Sequence, residues 1–303
     1  MEMQHLSNTT SKQVIDSTRT YKELVNVRRS LQRLGGSMLW KPSGKYVYLA
    51  QRSYFDSQKV VHLGIRSPET ESILQHFETE RSRLLQREKA LLDRIAIYER
   101  MNKAVRAGAA STTMIEAINT LESVGISDDS LWLGTPALHA YWQSTGFETP
   151  KTLKEREDIG VYLVFVKRRL DAKTINKLHR CKSQTHYTVS GEHSSVLIIK
   201  AETSKHCEYS KKELPGAYEA FAGFLRQHAI EFLDQICEEL NQTPTFEQVV
   251  IGKTGKMGLM KTVDPHFLNE LNTLLGVDTV EQGGLHDLLT TTRFKSKAKI
   301  DVI

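Results

Sequence analysis

Acidic residues crowd the start of one apolar segment near the middle of the chain. Glu155, Glu157 and Asp158 come directly before Ile159 to Val166, a run whose composition is typical of a buried strand. Mg²⁺ binds oxygen ligands, and in proteins it takes one or two carboxylates together with phosphate oxygens. Two such ions offset the charge that develops on the attacking and leaving oxygens when a phosphoryl or nucleotidyl group is transferred. The segment is therefore a candidate divalent-metal site.

A turn of small residues precedes this acidic segment. Gly134 and Thr135 follow the short apolar strand Leu131 to Leu133 and open a helix predicted over residues 135–144. The backbone N–H groups at a helix N-terminus bind phosphate, so Gly134 and Thr135 are candidate nucleotide-binding residues. In the alternative interpretation, Thr135 only caps the helix and Pro136 is its first residue.

Four segments carry motifs of distinctive spacing. They read GSMLWK at Gly36–Lys41, LGIRSPETE at Leu63–Glu71, GTPALHAY at Gly134–Tyr141 and MKTVDPHFL at Met260–Leu268. Together they resemble the motifs of a family of bacterial nucleotidyltransferase-like proteins, over residues 20 to 275 of this chain. The LGIRSPETE motif is the most specific of the four. The resemblance implies a nucleotidyltransferase-like mixed sheet with flanking helices, and an NTP as the partner of Gly134 and Thr135.

The resemblance also implies where metal-binding acids would stand. The metal strand of the family reads D-I-D-L-L, and Asp158–Tyr162, which reads DIGVY, takes that place. Asp158 matches the first acid, Gly160 stands in place of the second, and Leu197 stands in place of a third acid on a later strand. Asp158 is thus a weak candidate for metal binding, because one carboxylate cannot build a two-metal clamp.

Two functional hypotheses follow from the resemblance. The first is a nucleotidyltransferase-fold protein with a degenerate two-metal site, retained for binding or regulation and needing no metal cofactor. The second is an active enzyme that moves a nucleotide from an NTP to a nucleic-acid or protein acceptor with Mg²⁺ or Mn²⁺. That enzyme would use Asp158 with Glu155 or Glu157, which requires the strand register to slide. A slip by an odd number of residues would turn the apolar face of the strand outward.

Positive charge is concentrated towards the N-terminus. The chain carries a net charge of +5, whereas Met1–Arg66 alone holds eleven Lys and Arg against four acids, a net +7. Cations alternate there with aromatic residues, a mixture suited to phosphate contacts and base stacking. The candidate nucleic-acid-binding residues are Lys41, Lys45, Tyr48, Arg52 and Lys59, beside the aromatics Trp40, Tyr46, Tyr54 and Phe55. A third hypothesis is therefore a nucleic-acid-binding protein; in the alternative interpretation, a hairpin packs these aromatics on the first helix.

Hydrophobic periodicity predicts the elements of the N-terminal part. An apolar stripe predicts a helix over Tyr21–Leu34, and the β-rich runs Tyr46–Leu49 and Val60–Leu63 predict a β-hairpin. A long helix then starts at Ser67-Pro68. Along it an apolar seam recurs every seven residues, at Phe77, Leu84, Leu91 and Tyr98. Such a seam packs against a second helix of the chain or of another copy, so the 72–100 helix is a candidate surface for a protein partner or self-association.

Strands and helices alternate in the remainder of the chain. Strands are predicted over 131–133, 159–166, 185–189, 195–200 and 247–251, and helices over 113–123, 135–144, 172–180, 216–240 and 264–275, the first with Thr113 and Glu116 as its capping box. The predicted fold class is α+β: a nucleotidyltransferase-like mixed sheet with flanking helices, preceded by a β-hairpin module and a long helical arm. The expected domains are 1–66, 67–110 and 111–285, with a basic tail over 286–303.

Cysteine usage and hydropathy indicate the compartment. The three cysteines form no CxxC pair and are odd in number, which favours a reducing environment. The sequence has no apolar run of 18 or more residues and no apolar signal region. We therefore expect a cytoplasmic protein without membrane contact.

Overall fold

The computed structural model describes residues 4–54, 59–150, 153, 161–180, 184–190, 193–201 and 238–268. Helices and two sheets give a mixed α+β architecture, as the sequence predicts at that level. The helices are α1 (Asn8–Leu34), α2 (Pro68–Ala104), α3 (Thr112–Val124), α4 (Thr135–Thr145) and α5 (Ala172–His179). The strands are β1 (Ser37–Ser43), β2 (Tyr46–Arg52), β3 (Val60–Ile65), β4 (Ser130–Leu133), β5 (Val161–Val166), β6 (Gln184–Ser190), β7 (Ser195–Ala201), β8 (Thr245–Ile251) and β9 (Met257–Val263). Among these described helices, none is both long and apolar enough to cross a bilayer.

Contacts divide the chain into two compact units. One spans Gln13–Met101 and holds the three-stranded sheet β1-β2-β3 with most of α1 and α2. The other combines Met1–Lys12 with Asn102–Ile303 and holds a six-stranded sheet of order β6-β7-β5-β4-β9-β8. This division differs from the predicted one, which separated residues 1–66 from a helical arm over 67–110.

The two long helices lie side by side in the first unit. Arg28 Nε donates to Glu88 Oε1 at 3.0 Å, and a second ion pair joins Arg87 to Glu23. Partly exposed pairs of this kind contribute at most about 1 kcal/mol each, so apolar packing carries the association. The seam of α2 is buried within the chain at Phe77, Leu84 and Leu91, and the seven-residue periodicity is thereby confirmed.

Helix α1 begins at Asn8, well before the predicted start at Tyr21. Its first half buries polar side chains, so hydrophobic periodicity could not reveal that half as a packed helix. The buried polar residues are Gln13, Ser17 and Thr20. The Ser7 hydroxyl accepts a hydrogen bond from the Thr10 backbone N–H at 3.2 Å and caps the helix.

The first sheet contains a strand that the sequence did not predict. β2 pairs antiparallel with β3, as the predicted hairpin requires, but β1 also pairs antiparallel with β2 along its whole length. The β1 sequence, SMLWKPS, includes Lys, Pro and Ser, so its intrinsic strand preference is weak. The predicted hairpin module is therefore a three-stranded antiparallel sheet.

Helices cover both faces of the six-stranded sheet. β4 is antiparallel to β5 and parallel to β9. Trp132 and Val164 face the core that α3 and α5 share, whereas Leu131 and Phe165 face the core under α4. Successive residues of these strands thus serve opposite cores, which explains why β4 and β5 are continuous apolar runs.

Helix α3 is capped by a different residue from the predicted one. The Ser111 hydroxyl is the N-cap and accepts the backbone N–H of Met114 at 3.2 Å, which corrects the predicted capping box of Thr113 with Glu116. The Thr113 hydroxyl instead hydrogen-bonds the Tyr162 hydroxyl at 2.7 Å. At the other end, Gly125 adopts the left-handed conformation expected of a helix C-cap.

Strand β9 is the second strand that periodicity did not indicate. It pairs antiparallel with β8 and parallel with β4. Its sequence, MGLMKTV, mixes Gly, Met and Lys, none of which favours a strand. Of the helices predicted over 216–240 and 264–275, only residues 238–240 and 264–268 lie within the described part; 238–240 and 265–268 are helical, and Asp264 precedes the helix.

We predict that Arg106→Gly stabilises the protein. Arg106 has a φ of 52°, in the left-handed region, just after α2. That conformation costs about 1–2 kcal/mol for a residue with a Cβ, whereas glycine loses about 0.5–1 kcal/mol of backbone entropy on folding. The free energy of unfolding in urea should therefore rise by about 0.5–1 kcal/mol. Arg106→Ala removes the same side chain but keeps a Cβ; an equal gain in that control would contradict the backbone explanation.

Candidate functional site

Three strand ends meet at one edge of the six-stranded sheet. Leu133, the last residue of β4, pairs with Leu163 in antiparallel β5, so the chain enters β5 where it leaves β4. β9 runs parallel to β4, with Trp132 opposite Thr262, so both strands end at this edge. We call this side of the sheet, where β4 and β9 end and β5 begins, the Gly134 edge; it is defined by strand ends and is not an edge strand. It brings together the predicted phosphate-binding turn at Gly134 and the start of the predicted metal-binding strand.

Gly134 has backbone angles that a residue with a side chain rarely adopts. Its φ is 70° and its ψ is −149°, a region open in practice only to glycine. The helix begins at Thr135, so Gly134 occupies the N-cap position and the interpretation of Thr135 as N-cap is corrected. Because Gly134 has no side chain, the N-cap residue itself offers no hydroxyl or carboxylate to the first N–H groups of α4; its carbonyl accepts the Ala137 N–H at 3.0 Å. An anion can take the place of that cap.

Helix α4 is fixed to the end of β9 by a buried tyrosine. The Tyr141 hydroxyl donates to the Val263 carbonyl at 2.7 Å, and the Thr262 hydroxyl donates to the Trp132 carbonyl at the same distance. Burial raises the pKa of Tyr141 well above its usual value, and the charge of Asp264 raises it further, so the hydroxyl keeps its proton. These bonds hold α4, β4 and β9 in one rigid arrangement behind Gly134.

The predicted acids Glu155, Glu157 and Asp158, together with Gly160, lie outside the described residues. Val161 is the first described residue of β5. One described acid does lie at the Gly134 edge, since Asp264 follows the end of β9; its Oδ1 accepts the His266 backbone N–H at 2.9 Å. Within the described ranges, no group of three or more His, Cys, Asp or Glu side chains could hold a metal ion.

The register of β7 separates Leu197 from the start of β5. Leu197 pairs with Val164 and is fully buried in the core under α3, whereas Val161 pairs with Lys200. Val161, the first described residue of β5, is therefore three residues, roughly 10 Å along the strand, from the partner of Leu197. Leu197 is a core residue, and an acid at this position would not reach the entry to β5.

A row of buried polar side chains on the edge strand β6 was missed by sequence reasoning. Gln184, His186 and Thr188 alternate along the strand and so share one face, and Gln184 and His186 are each 4% exposed. Within the described part of the chain, their side-chain polar atoms have no hydrogen-bond partner. Burial, followed by the charge of His179 on α5, lowers the pKa of His186. Only the period-two spacing of the three residues could have indicated this row.

The structure brings together three of the five candidate nucleic-acid-binding residues. Lys41 pairs directly with Tyr48, and Arg52 lies on the same face of the sheet further along β2. Lys45 lies in the turn between β1 and β2, and Lys59 precedes β3.

Comparison with known proteins found no match to this chain among family models, curated proteins or solved structures. The protein is therefore classified by its own fold and site. It contains a mixed α+β domain in which a helix whose N-cap is glycine begins where a central strand of the sheet ends.

We predict that Tyr141→Phe destabilises the second unit without changing its packing volume. The substitution leaves the buried carbonyl of Val263 without its donor, which costs about 1–3 kcal/mol. Urea denaturation followed by circular dichroism measures the loss. Tyr46→Phe serves as a matched control, because Tyr46 is 55% exposed. An equal effect of the two substitutions would contradict the role given to the Tyr141 hydrogen bond.

We also predict that stability falls below neutral pH in a way that depends on His186. Because its folded pKa is lowered, His186 contributes stability that is present above the unfolded pKa of about 6.5 and is lost as the pH falls through the folded pKa. His186→Leu should therefore flatten the decline of the unfolding free energy between about pH 7 and 5. The exposed His193→Leu is the matched control for loss of a histidine. Equal pH slopes for wild type and His186→Leu would refute this assignment.

Proposed function

We propose that the second unit is a nucleotidyltransferase-like domain that binds an NTP at the Gly134 edge and serves in binding or regulation. The observation that carries the proposal is the antiparallel pairing of Leu133 with Leu163. This pairing brings the end of β4, the start of α4 and the entry to β5 to one edge of the sheet. Phosphates bound at α4 would thus lie at the end of the sheet where Val161 begins β5, three residues after Asp158 in the sequence.

Binding of phosphate is supported by the local electrostatics. The N-terminus of a helix carries a positive partial charge, and at α4 the N-cap residue Gly134 has no side chain that would compete with a bound anion. Pro136, the second residue of α4, has no N–H, and the Ala137 N–H donates to the Gly134 carbonyl at 3.0 Å, so the Thr135 N–H is the first donor left for a ligand. The Tyr141 hydrogen bond holds this helix in place before a ligand arrives, which lowers the entropy cost of binding.

Impaired transfer follows from the number of carboxylates that match the family pattern. Asp158 alone corresponds to the expected acids, since Gly160 and Leu197 stand at the other two positions. Loss of a group that stabilises transition-state charge typically lowers the rate by about 10²–10³. The alternative is an active enzyme in which Glu155 or Glu157 joins Asp158 to hold Mg²⁺ or Mn²⁺, with a nucleic-acid or protein acceptor.

Two further features belong to the proposal. We infer a cytoplasmic location, because the odd and scattered cysteines suit a reducing compartment. We also infer that the 72–100 helix carries a surface for a protein partner or a second copy. Leu85 and Leu92, seven residues apart on α2, remain about two-fifths exposed beside the buried seam.

The expected result for nucleotide binding is a thermal shift that does not need metal. With the full chain and each of the four NTPs, at least one NTP at tenfold above its Kd should raise the Tm by about 3–6 °C. Gly134→Ala should abolish the shift because the side chain disfavours the required backbone angles. Gly146→Ala, at the other end of α4 and also at positive φ, is the matched control and should keep the shift. No shift with any NTP would overturn the proposal.

Turnover separates the two functional alternatives. Incubation with labelled NTPs and Mg²⁺ or Mn²⁺ should give no nucleotide incorporation above the level of Asp158→Asn. If incorporation depends on metal and disappears in Asp158→Asn, the protein is an active nucleotidyltransferase. Glu155→Gln and Glu157→Gln would then identify the second carboxylate.

A further inference from the structure

The sheet of the first unit carries cations and no acids. Its three strands contain no Asp or Glu, whereas Lys41 and Arg52 lie on them and Lys45 and Lys59 lie directly beside them. Arg66 also follows β3, but it forms an ion pair with Glu71 at 2.8 Å. A surface of one charge attracts polyanions through forces that extend over about 10 Å and weaken with salt. The charge therefore points to an acidic partner.

The register sorts the side chains of this sheet onto two different faces. Lys41 pairs with Tyr48, Ser43 with Tyr46, Ser37 with Arg52 and Ala50 with His62. Because directly opposed residues and every second residue along a strand share a face, one face collects Lys41, Tyr46, Tyr48, Arg52 and His62, together with the apolar Leu39, Ala50 and Ile65. We call the five polar and aromatic residues the basic–aromatic face; Ala50, which lies between them, is fully buried. Arg52 and His62 are exposed, and Tyr46 is 55% exposed.

The three rings of this face form a ladder across two strands. The ring centroids of Tyr46 and Tyr48 lie 6.4 Å apart, and those of Tyr48 and His62 lie 6.1 Å apart, both in edge-to-face geometry. Rings held by their neighbours lose little entropy when a base stacks on them. Lys41 lies on β1 directly opposite Tyr48, and Arg52 lies four residues beyond Tyr48 on β2, so both cations share the face of the rings.

The opposite face is occupied by the protein itself. Leu49 is fully buried there, and the Gln51 side-chain amide donates to the Leu34 carbonyl at 2.7 Å. Trp40 pairs with Leu49 and is covered by the Arg66 guanidinium, 5.3 Å from the centre of its ring. Trp40, one of the aromatics expected to stack on bases, is thus turned away from Tyr46 and Tyr48.

We propose that the basic–aromatic face binds single-stranded nucleic acid. Lys41 and Arg52 contact phosphates, and Tyr46 and Tyr48 stack on bases. Duplex does not offer its base faces to such a surface, and an acidic peptide would use the cations but not the rings. The proposal concerns the first unit and stands independently of the NTP site at the Gly134 edge.

Fluorescence anisotropy with the full chain and a labelled dT12 oligonucleotide tests the contribution of charge. Lys41→Ala with Arg52→Ala should weaken binding, and the slope of log K against log salt should become less negative by roughly 1.4, the value expected for two lost contacts to a single strand. Lys89→Ala with Arg100→Ala removes the same charge from exposed positions on α2 and should keep the wild-type slope. Equal losses in the two double variants would overturn the proposal, because net charge alone would then explain binding.

The contribution of stacking is tested at Tyr48. Tyr48→Leu should weaken binding of dT12 by about 5- to 150-fold, and Tyr48→Phe should bind as wild type does. Circular dichroism of Tyr48→Phe shows whether the sheet is intact. Equal affinities of wild type and Tyr48→Leu would overturn the proposal. So would binding of a duplex or of an oligoglutamate peptide as tightly as dT12, and so would no binding of dT12 at low salt.

Discussion

The pairing of β4 with two strands of opposite direction is the constraint on which the second unit depends. β4 is four residues long, and all four are buried. Its antiparallel partner β5 enters the sheet where β4 ends, and its parallel partner β9 ends there too. The Thr262 hydroxyl, which donates to the Trp132 carbonyl inside this junction, fixes the β4–β9 pairing at its centre. These pairings bring the start of α4, the start of β5 and the end of β9 together at the Gly134 edge.

The segment before α3 packs closely against the end of β8, on the side of the sheet opposite the Gly134 edge. Gly108 leaves no room for a side chain, because a Cβ there would lie 2.1 Å from the Ile251 carbonyl oxygen. Ala110 donates to the same carbonyl at 3.3 Å, and Gly252 lies against Ala110 in an isolated bridge. The end of β8 is thus anchored, and so is the start of β9, because Ile251 pairs with Met257 at the end of the sheet away from Gly134.

The two sheets differ in how far their faces are buried. In the six-stranded sheet, β4, β5 and β9 contribute buried residues to the cores on both faces, so these strands offer chemistry at their ends. The three-stranded sheet has one face occupied by Trp40, Leu49 and their contacts, and on its other face Tyr46, Arg52 and His62 are exposed. A phosphate ligand can therefore reach the ends of the strands in the second unit, and a face of the strands in the first unit.

Local signals in the sequence determined the fold class, the start and seven-residue seam of α2, the turn at Gly134, and the apolar runs that became β4 and β5. Each depends on the preferences of neighbouring residues, which a single sequence contains. Only the tertiary structure decided that β9 exists and runs parallel to β4, that Leu197 pairs with Val164, and that Trp40 faces away from Tyr48. These depend on register between distant segments, and a shift of one residue exchanges the two faces of a strand. The register is selected by how side chains from the whole chain fill a common core, and no local pattern contains that information.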